Sequence, residues 1–357
     1  AVGGVAYFAG KSSAPKNEGN DNSNYFPPVD QNYNPPVTSN TNNNVTPPVT
    51  ADTKKISSCV EIVKGGNYIL SNDITNTSKN GCIDVHDVTG VNIDCKNYSI
   101  YSNNTDGTIL FNNATDFSLS NCKINLENPA HNSIRIAFSK NGVISNSFFS
   151  GGEVFIVQSD SVKLSNNIFR NNIMISGTTN ATVENNKIYP NNSPVVTIYN
   201  LVVQHGSGNK IINNYIDGLS DGNWYNVQKT TGVDDNIYIW NEQGDLVSDN
   251  TLLNAYDCGI ENQGFMFETK ILHNTIKNTG VCGIGGWYSS SIKGNTFSDN
   301  IIENSPQAFL YFRTDNLQEN EPPVYFSDNV FKDNMFLNQK KIGDIFLTTS
   351  SITLSPE

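Results

Sequence analysis

Between about residue 56 and residue 345 the chain consists of short runs in which apolar and polar residues alternate, and no apolar stripe recurs at helical spacing. Period-two runs of Ile, Val and Phe broken by Asn, Gly, Ser and Asp predict strands joined by tight turns. The runs also repeat as a unit: an apolar residue, a polar one, two positions rich in Asn, any residue, then Ile, Phe or Leu. The unit appears as Leu119-Ser-Asn121-Cys-Lys-Ile124, Leu164-Ser-Asn166-Asn167-Ile-Phe169, Val183-Glu-Asn185-Asn186-Lys-Ile188 and Ile211-Ile-Asn213-Asn214-Tyr-Ile216. It returns at Val247, Ile271, Ile292 and Phe326, with a weaker copy at Ile144. With Cys122, Ser147, Asn167, Asn186, Asn214, Asn250, Asn274, Asn295 and Asn329 taken as equivalent, the steps are 25, 20, 19, 28, 36, 24, 21 and 34 residues.

A period near 20 to 25 residues belongs to a solenoid. Too few Leu residues are present for a leucine-rich repeat, and a propeller blade needs about 40 residues or more per unit. The prediction is an all-β fold, a parallel β-helix of about ten coils stacked at the strand spacing of about 4.8 Å. Asn at one turn suits that geometry, because it tolerates left-handed backbone angles and its carboxamides can bond along the axis as a ladder. The expected layout is a cap and first coil over 56–90, the β-helix over 91–345 and a tail over 346–357.

Composition separates the N-terminal part. Residues 11–55 hold Pro27-Pro28, Pro35-Pro36 and Pro47-Pro48 among Asn, Thr and Ser, a disordered linker that cannot bury a core. Residues 1–10 are nearly all apolar or small and read as the remnant of an N-terminal membrane anchor or signal segment. The picture is a head held from a surface on a stalk, extracellular or cell-surface, with the membrane reached only through that anchor. Net charge is −12 with 22 Lys and Arg, which excludes a nucleic-acid partner that would need a basic stripe.

The repeat resembles that of right-handed parallel β-helix proteins of the pectin-lyase-like superfamily, over 56 to about 345. The opening, Cys59-Val-Glu-Ile, Gly65-Gly-Asn-Tyr-Ile-Leu70, Asp73-Ile and Cys82-Ile-Asp-Val, is similar to that of surface β-helix proteins related to the periplasmic copper chaperone of nitrous oxide reductase maturation. The resemblance implies a scaffold that hosts lyases, hydrolases, epimerases and adhesins, so function is argued from the site.

The six cysteines fall into pairs about one coil apart: Cys59 with Cys82, Cys95 with Cys122, Cys258 with Cys282. Stacked neighbours lie close enough for disulfides, and export would permit them; buried free thiols are the alternative for the last two pairs. A metal site is not expected. There is no Cys-x-x-Cys spacing, the four His residues (His86, His131, His205 and His273) are scattered, and three Met offer no soft-ligand cluster for copper. No cofactor is expected, calcium at the turn Asp217-Gly-Leu-Ser-Asp-Gly-Asn223 being the alternative.

The long units carry extra residues at 217–236 and 301–323, where loops would flank a binding face. If Ile239, Ile260 and Ile284 point inward, alternation turns Trp240, Glu242, Glu261, Gln263 and Trp287 outward on one strip; Tyr311 and Arg313 join them if Leu310 and Phe312 face in. Aromatic planes beside acids and amides suit a polysaccharide, and Trp224 lies in the first inserted loop. For catalysis, Glu242 and Glu261, with Asp235, Asp234 or Asp257 nearby, could form the carboxyl pair of a glycosidase. The Asp234-Asp235 doublet resembles the paired aspartates of β-helix polygalacturonases, and Asn104-Thr-Asp106 matches their Asn-Thr-Asp turn, but their Gly-His-Gly and Arg-Ile-Lys motifs are absent. Lyase chemistry would rest on Arg313 with Lys293. Two readings follow: a surface protein that binds, and in the stronger form hydrolyses, cleaves or epimerises, a polysaccharide; or a non-catalytic structural or adhesin β-helix that presents loops to a partner or associates with itself.

Overall fold

The computed structural model describes residues 53–76, 81–102, 107–126, 132–189, 196–199, 206–219, 234–312, 326–339 and 351–354. The chain divides into Ala1–Thr46, which lies outside the described residues, and Pro47–Glu357, which holds all of them. The expected anchor and most of the linker, Trp224, Arg313, and parts of both inserted loops lie outside the described residues, as do the side chains of Trp287 and Tyr311.

The described residues contain strands and no helix, in three sheets of twelve, eleven and thirteen strands. Each coil contributes one strand to each sheet, and every pairing is parallel except the last. The fold is the expected β-helix, with about twelve coils rather than ten. It begins with Lys54–Ile56, two residues before the expected boundary, and within the expected tail Ser351–Leu354 forms a strand antiparallel to Gln307–Phe312. Parallel strands of successive coils stack like on like. Ile83, Ile109, Ile134, Val154 and Ile173 form one interior column, fully buried. Phe111 with Phe117 and Phe149 with Phe169 stack at ring distances of 4.3 and 4.9 Å. Each such side chain contributes about 1.5–3 kcal/mol on burial. Phe117 fills the space above Gly142, where a Cβ would lie 2.1 Å from the ring Cζ. Gly142→Ala is therefore expected to cost about 1–3 kcal/mol by overpacking, read as a fall in the denaturation midpoint.

The two Asn positions of the repeat do separate jobs. The first, as at Asn121, Asn146, Asn166, Asn185 and Asn213, has φ between 50° and 57°, in the left-handed region that Asn tolerates. The second is the ladder. Its backbone N–H donates to the side chain of the next coil in an unbroken series: Cys122 to Ser147, then Asn167, Asn186, Asn214, Asn250 and Asn274. From Asn274 the series passes to Asn300 and Asn334. Asn295 and Asn329, expected in this column, stand in a second ladder at another corner, following Asn209, Asp245 and Thr269. Three disulfides, Cys59–Cys82, Cys95–Cys122 and Cys258–Cys282, clip neighbouring coils at Cα separations of 4.3, 4.8 and 4.6 Å. They suit an oxidising compartment.

Candidate functional site

The strip predicted from alternation lies on the thirteen-stranded sheet, where Ile237–Gln243 pairs with Val196–Tyr199 on one side and Cys258–Phe267 on the other. Ile239, Ile260 and Ile284 are buried as expected. Register places Tyr238 beside Glu261, and Trp240 beside Gln263 and then Trp287. Trp240 is 43% exposed, the one exposed Trp among the described side chains.

Glu242 departs from the prediction. At Asn241 the φ is +57° and the register slips, and Gly264 opposite has φ +72°. The left-handed residue is the corner that Phe138 and Gln158 form in earlier coils, and it breaks the alternation of the strand. Glu242 therefore turns into the coil and is 0% exposed. It is no part of the outer strip. The register also runs against the parity assumed for Leu310: Phe309 aligns with the inward Ile284, and Leu310 aligns with Gly285 and, through it, with Glu261.

Asp235, Asp257 and Glu261 do come together. Their carboxylate oxygens, with Cys258 Sγ, lie within 4.8 Å of one another. Asp235 is held by the backbone, its Oδ1 accepting from Cys258 N–H at 3.0 Å, and Asp257 N–H donates to Asp234 O at 2.7 Å. Gln263 Nε2 donates to Glu261 Oε1 at 2.9 Å. The three acids are 1%, 7% and 4% exposed. Burial, reinforced by the neighbouring carboxylates, raises the affinity of Asp235 and Asp257 for protons well above the usual range and pushes Glu261 to about 7. Asp234 is raised by burial, and Tyr238 by burial and by the charges of Glu261, Asp235 and Asp234. Carboxyls this close share protons, and one of them stays an acid near neutral pH.

Asp235, Asp257 and Glu261 are the described side chains that could hold a cation. Cys258 is consumed by its bond to Cys282, so it offers no thiolate. Three carboxylates would supply between three and six of the six to eight oxygens that calcium takes. At the candidate calcium turn, Asp217 Oδ1 accepts from Leu219 N–H and Asn254 Nδ2. His86 bonds Glu61 at 2.6 Å, and His273 stands at a left-handed bend between Asp249 and Asp299.

Glu242 belongs to a second acid pair that sequence reasoning missed. Its Oε2 accepts from Asn209 Nδ2 at 3.1 Å, while Asn209 N–H donates to Asp245 Oδ1 at 2.8 Å. Burial first, then the Asp245 charge, pushes Glu242 up to about 9, and burial pushes Asp245 up to about 7. Asn241 and Gly264 at one place in consecutive coils were the signal for the bulge that creates it.

With this geometry described, known structures can be set beside it. No protein-family model matches the chain, and no curated protein sequence does. The Agl-KA catalytic domain superposes with a TM-score of 0.50 at 15% identity, over 81% of this chain and 61% of that one. The chain thus spans about three fifths of that structure's length. The A-module of the mannuronan C-5 epimerase AlgE4 from Azotobacter vinelandii gives 0.46 at 10% identity, over 84% of this chain and 89% of that one. PfbA, a surface adhesin of Streptococcus pneumoniae, gives 0.44 at 12%, over 77% and 84%. At these identities the likeness is one of fold. The chain is a right-handed parallel β-helix. That scaffold is shared by carbohydrate-active proteins and an adhesin.

Proposed function

We propose that the protein is an exported, surface-exposed β-helix that binds a polysaccharide along the outer face of its thirteen-stranded sheet. The observation that carries this reading is the exposed indole of Trp240 in register with Gln263, one position from the carboxyl cluster of Asp235, Asp257 and Glu261. A sugar's C–H face stacks on an indole while its hydroxyls bond amides and carboxylates. Trp287, in register with Gln263, extends the same seat in this reading. Asp235 and Glu261 are the groups that would exchange protons with a bound sugar, Glu261 as the acid of a hydrolytic or lyase step. An N-terminal anchor would keep the β-helix at the cell surface, and no cofactor is required for these steps. A glycan array tests the reading. Trp240→Ala is expected to weaken binding at least tenfold, whereas Glu261→Gln keeps binding and abolishes release of oligosaccharides. Unchanged binding in Trp240→Ala would remove the seat.

A second reading, a non-catalytic adhesin or structural rod, is favoured by the burial of the acids, each less than a tenth exposed. Binding with no product from any bound glycan would select it.

A further inference from the structure

The acid pair inside the coil suggests a device independent of any glycan. Glu242 stands in an interior column in which earlier coils place Ser139, Ser159 and Thr178, neutral hydroxyls that accept or continue backbone bonds. The coil before it supplies Gly206, where a Cβ would lie 2.7 Å from Glu242 Oε1 and would displace the carboxyl. The neighbouring column places Asp245 between Asn209 and Thr269. Two carboxyls thus replace neutral ladder residues at the same corner, three positions apart. One oxygen of each, Glu242 Oε1 and Asp245 Oδ2, is buried with no hydrogen-bond partner.

The groups packed around Glu242 identify what neutralises it. The preceding coil offers Gly206 and Asn209, whose Nδ2 also donates to the Thr178 carbonyl one coil further back; the following coil offers Met266 and Thr269. None of these titrates. Asp245 is the titratable group that acts on Glu242, and Glu268, bonded to Gln243, lies on the exposed side of the bend. Two buried carboxylates without a cation cannot both stay charged. Two spare oxygens are too few for calcium, whereas a proton needs only one.

We propose that Glu242 and Asp245 form a proton-held latch: the retained proton keeps Glu242 folded over Gly206 and fixes the bulge at Asn241, and its loss releases the bulge and the adjoining Trp240. The mechanical link is short. Asn241 Oδ1 accepts from Phe265 N–H at 3.1 Å, and Trp240 Cδ1 lies 2.8 Å from where a Cβ on Gly264 would stand. A charged Glu242 seeking water has to leave the coil through this bulge. Burial of both groups places the release on the alkaline side of neutrality.

The test follows Trp240 emission against pH in the full chain carrying Trp224→Phe and Trp287→Phe. A reversible alkaline transition is expected, together with at least tenfold loss of exchange protection at the Glu242 amide after correction for intrinsic exchange. Glu242→Gln should abolish both. Asp245→Asn, which installs the residue this column uses at Asn209, should fold and move the transition to lower pH by removing the like charge. A transition unchanged in Glu242→Gln or unmoved in Asp245→Asn overturns the proposal, as does one that calcium chloride abolishes.

Discussion

Asn250→Leu is expected to cost about 3–6 kcal/mol, several times the effect of Asn166→Ala one corner position away. Asn250 is 1% exposed and engaged on every side. Its Oδ1 accepts from Asn214 N–H at 2.9 Å and Asn214 Nδ2 at 3.0 Å, and its Nδ2 donates to Ile211 O at 2.8 Å and Asn274 Oδ1 at 3.0 Å. Leu has a similar volume but makes none of these bonds. At least two buried groups, the Asn214 N–H and the Ile211 carbonyl, would be left without partners, at about 1–3 kcal/mol each, and the ladder would be cut in mid-rod. Asn166 has φ +57° and points to solvent, so Ala there costs about 1–2 kcal/mol in backbone conformation alone. Urea denaturation of the two variants measures the contrast. Equal midpoints would mean that the ladder stabilises no more than the bends do.

Stability should fall as pH rises from 5 to 9, the reverse of the usual behaviour of a carboxylate-rich protein. The sign follows from linkage. Burial raises the folded-state proton affinity of Asp235, Asp257, Glu261, Glu242 and Asp245 above that of the unfolded chain. The stabilisation is therefore complete below about pH 4, where both states are protonated, and is lost as pH climbs through the folded values of about 7 for Glu261 and Asp245 and about 9 for Glu242. The Glu261 shift alone corresponds to about 3 kcal/mol. Asp235→Asn with Glu261→Gln should make the profile shallower between pH 5 and 8, leaving the part that belongs to Asp245 and to Glu153, which burial also raises to about 7, and a slope above it that belongs to Glu242. Thermal unfolding across this range reads both, and a midpoint independent of pH would mean that the acids are solvated.

The fold was legible because a solenoid writes its packing locally. A coil's interior is fixed by the alternation in its own strands, so Ile239, Ile260 and Ile284 could be placed inward with no knowledge of distant contacts. The cysteine pairs were legible for the same reason, one coil apart. What failed was counting. The Asn-rich hexapeptide recurs at two corners of the later coils, so Asn295 was read as the successor of Asn274 when Asn300, 26 positions further on, holds that place. Likewise the outer strip was read by strict alternation, and the left-handed corner at Asn241, where earlier coils have Phe138 and Gln158, sent Glu242 indoors. Asp235 and Glu261 were found as neighbours because Glu261 precedes the bulge of its own strand. Their burial was not foreseeable, since exposure depends on what covers a strand as well as on the face it presents.

The ladder also has a sense. Each ladder backbone N–H from Cys122 to Asn300 donates to the coil that follows, whereas the Asn carboxamides also donate back to carbonyls of the coil before. As a chain emerges from a ribosome, each new coil therefore leaves its inner backbone donors waiting for residues not yet made. Docking of a coil must lag synthesis by one full turn, and the order of growth is written into the direction in which these amides point.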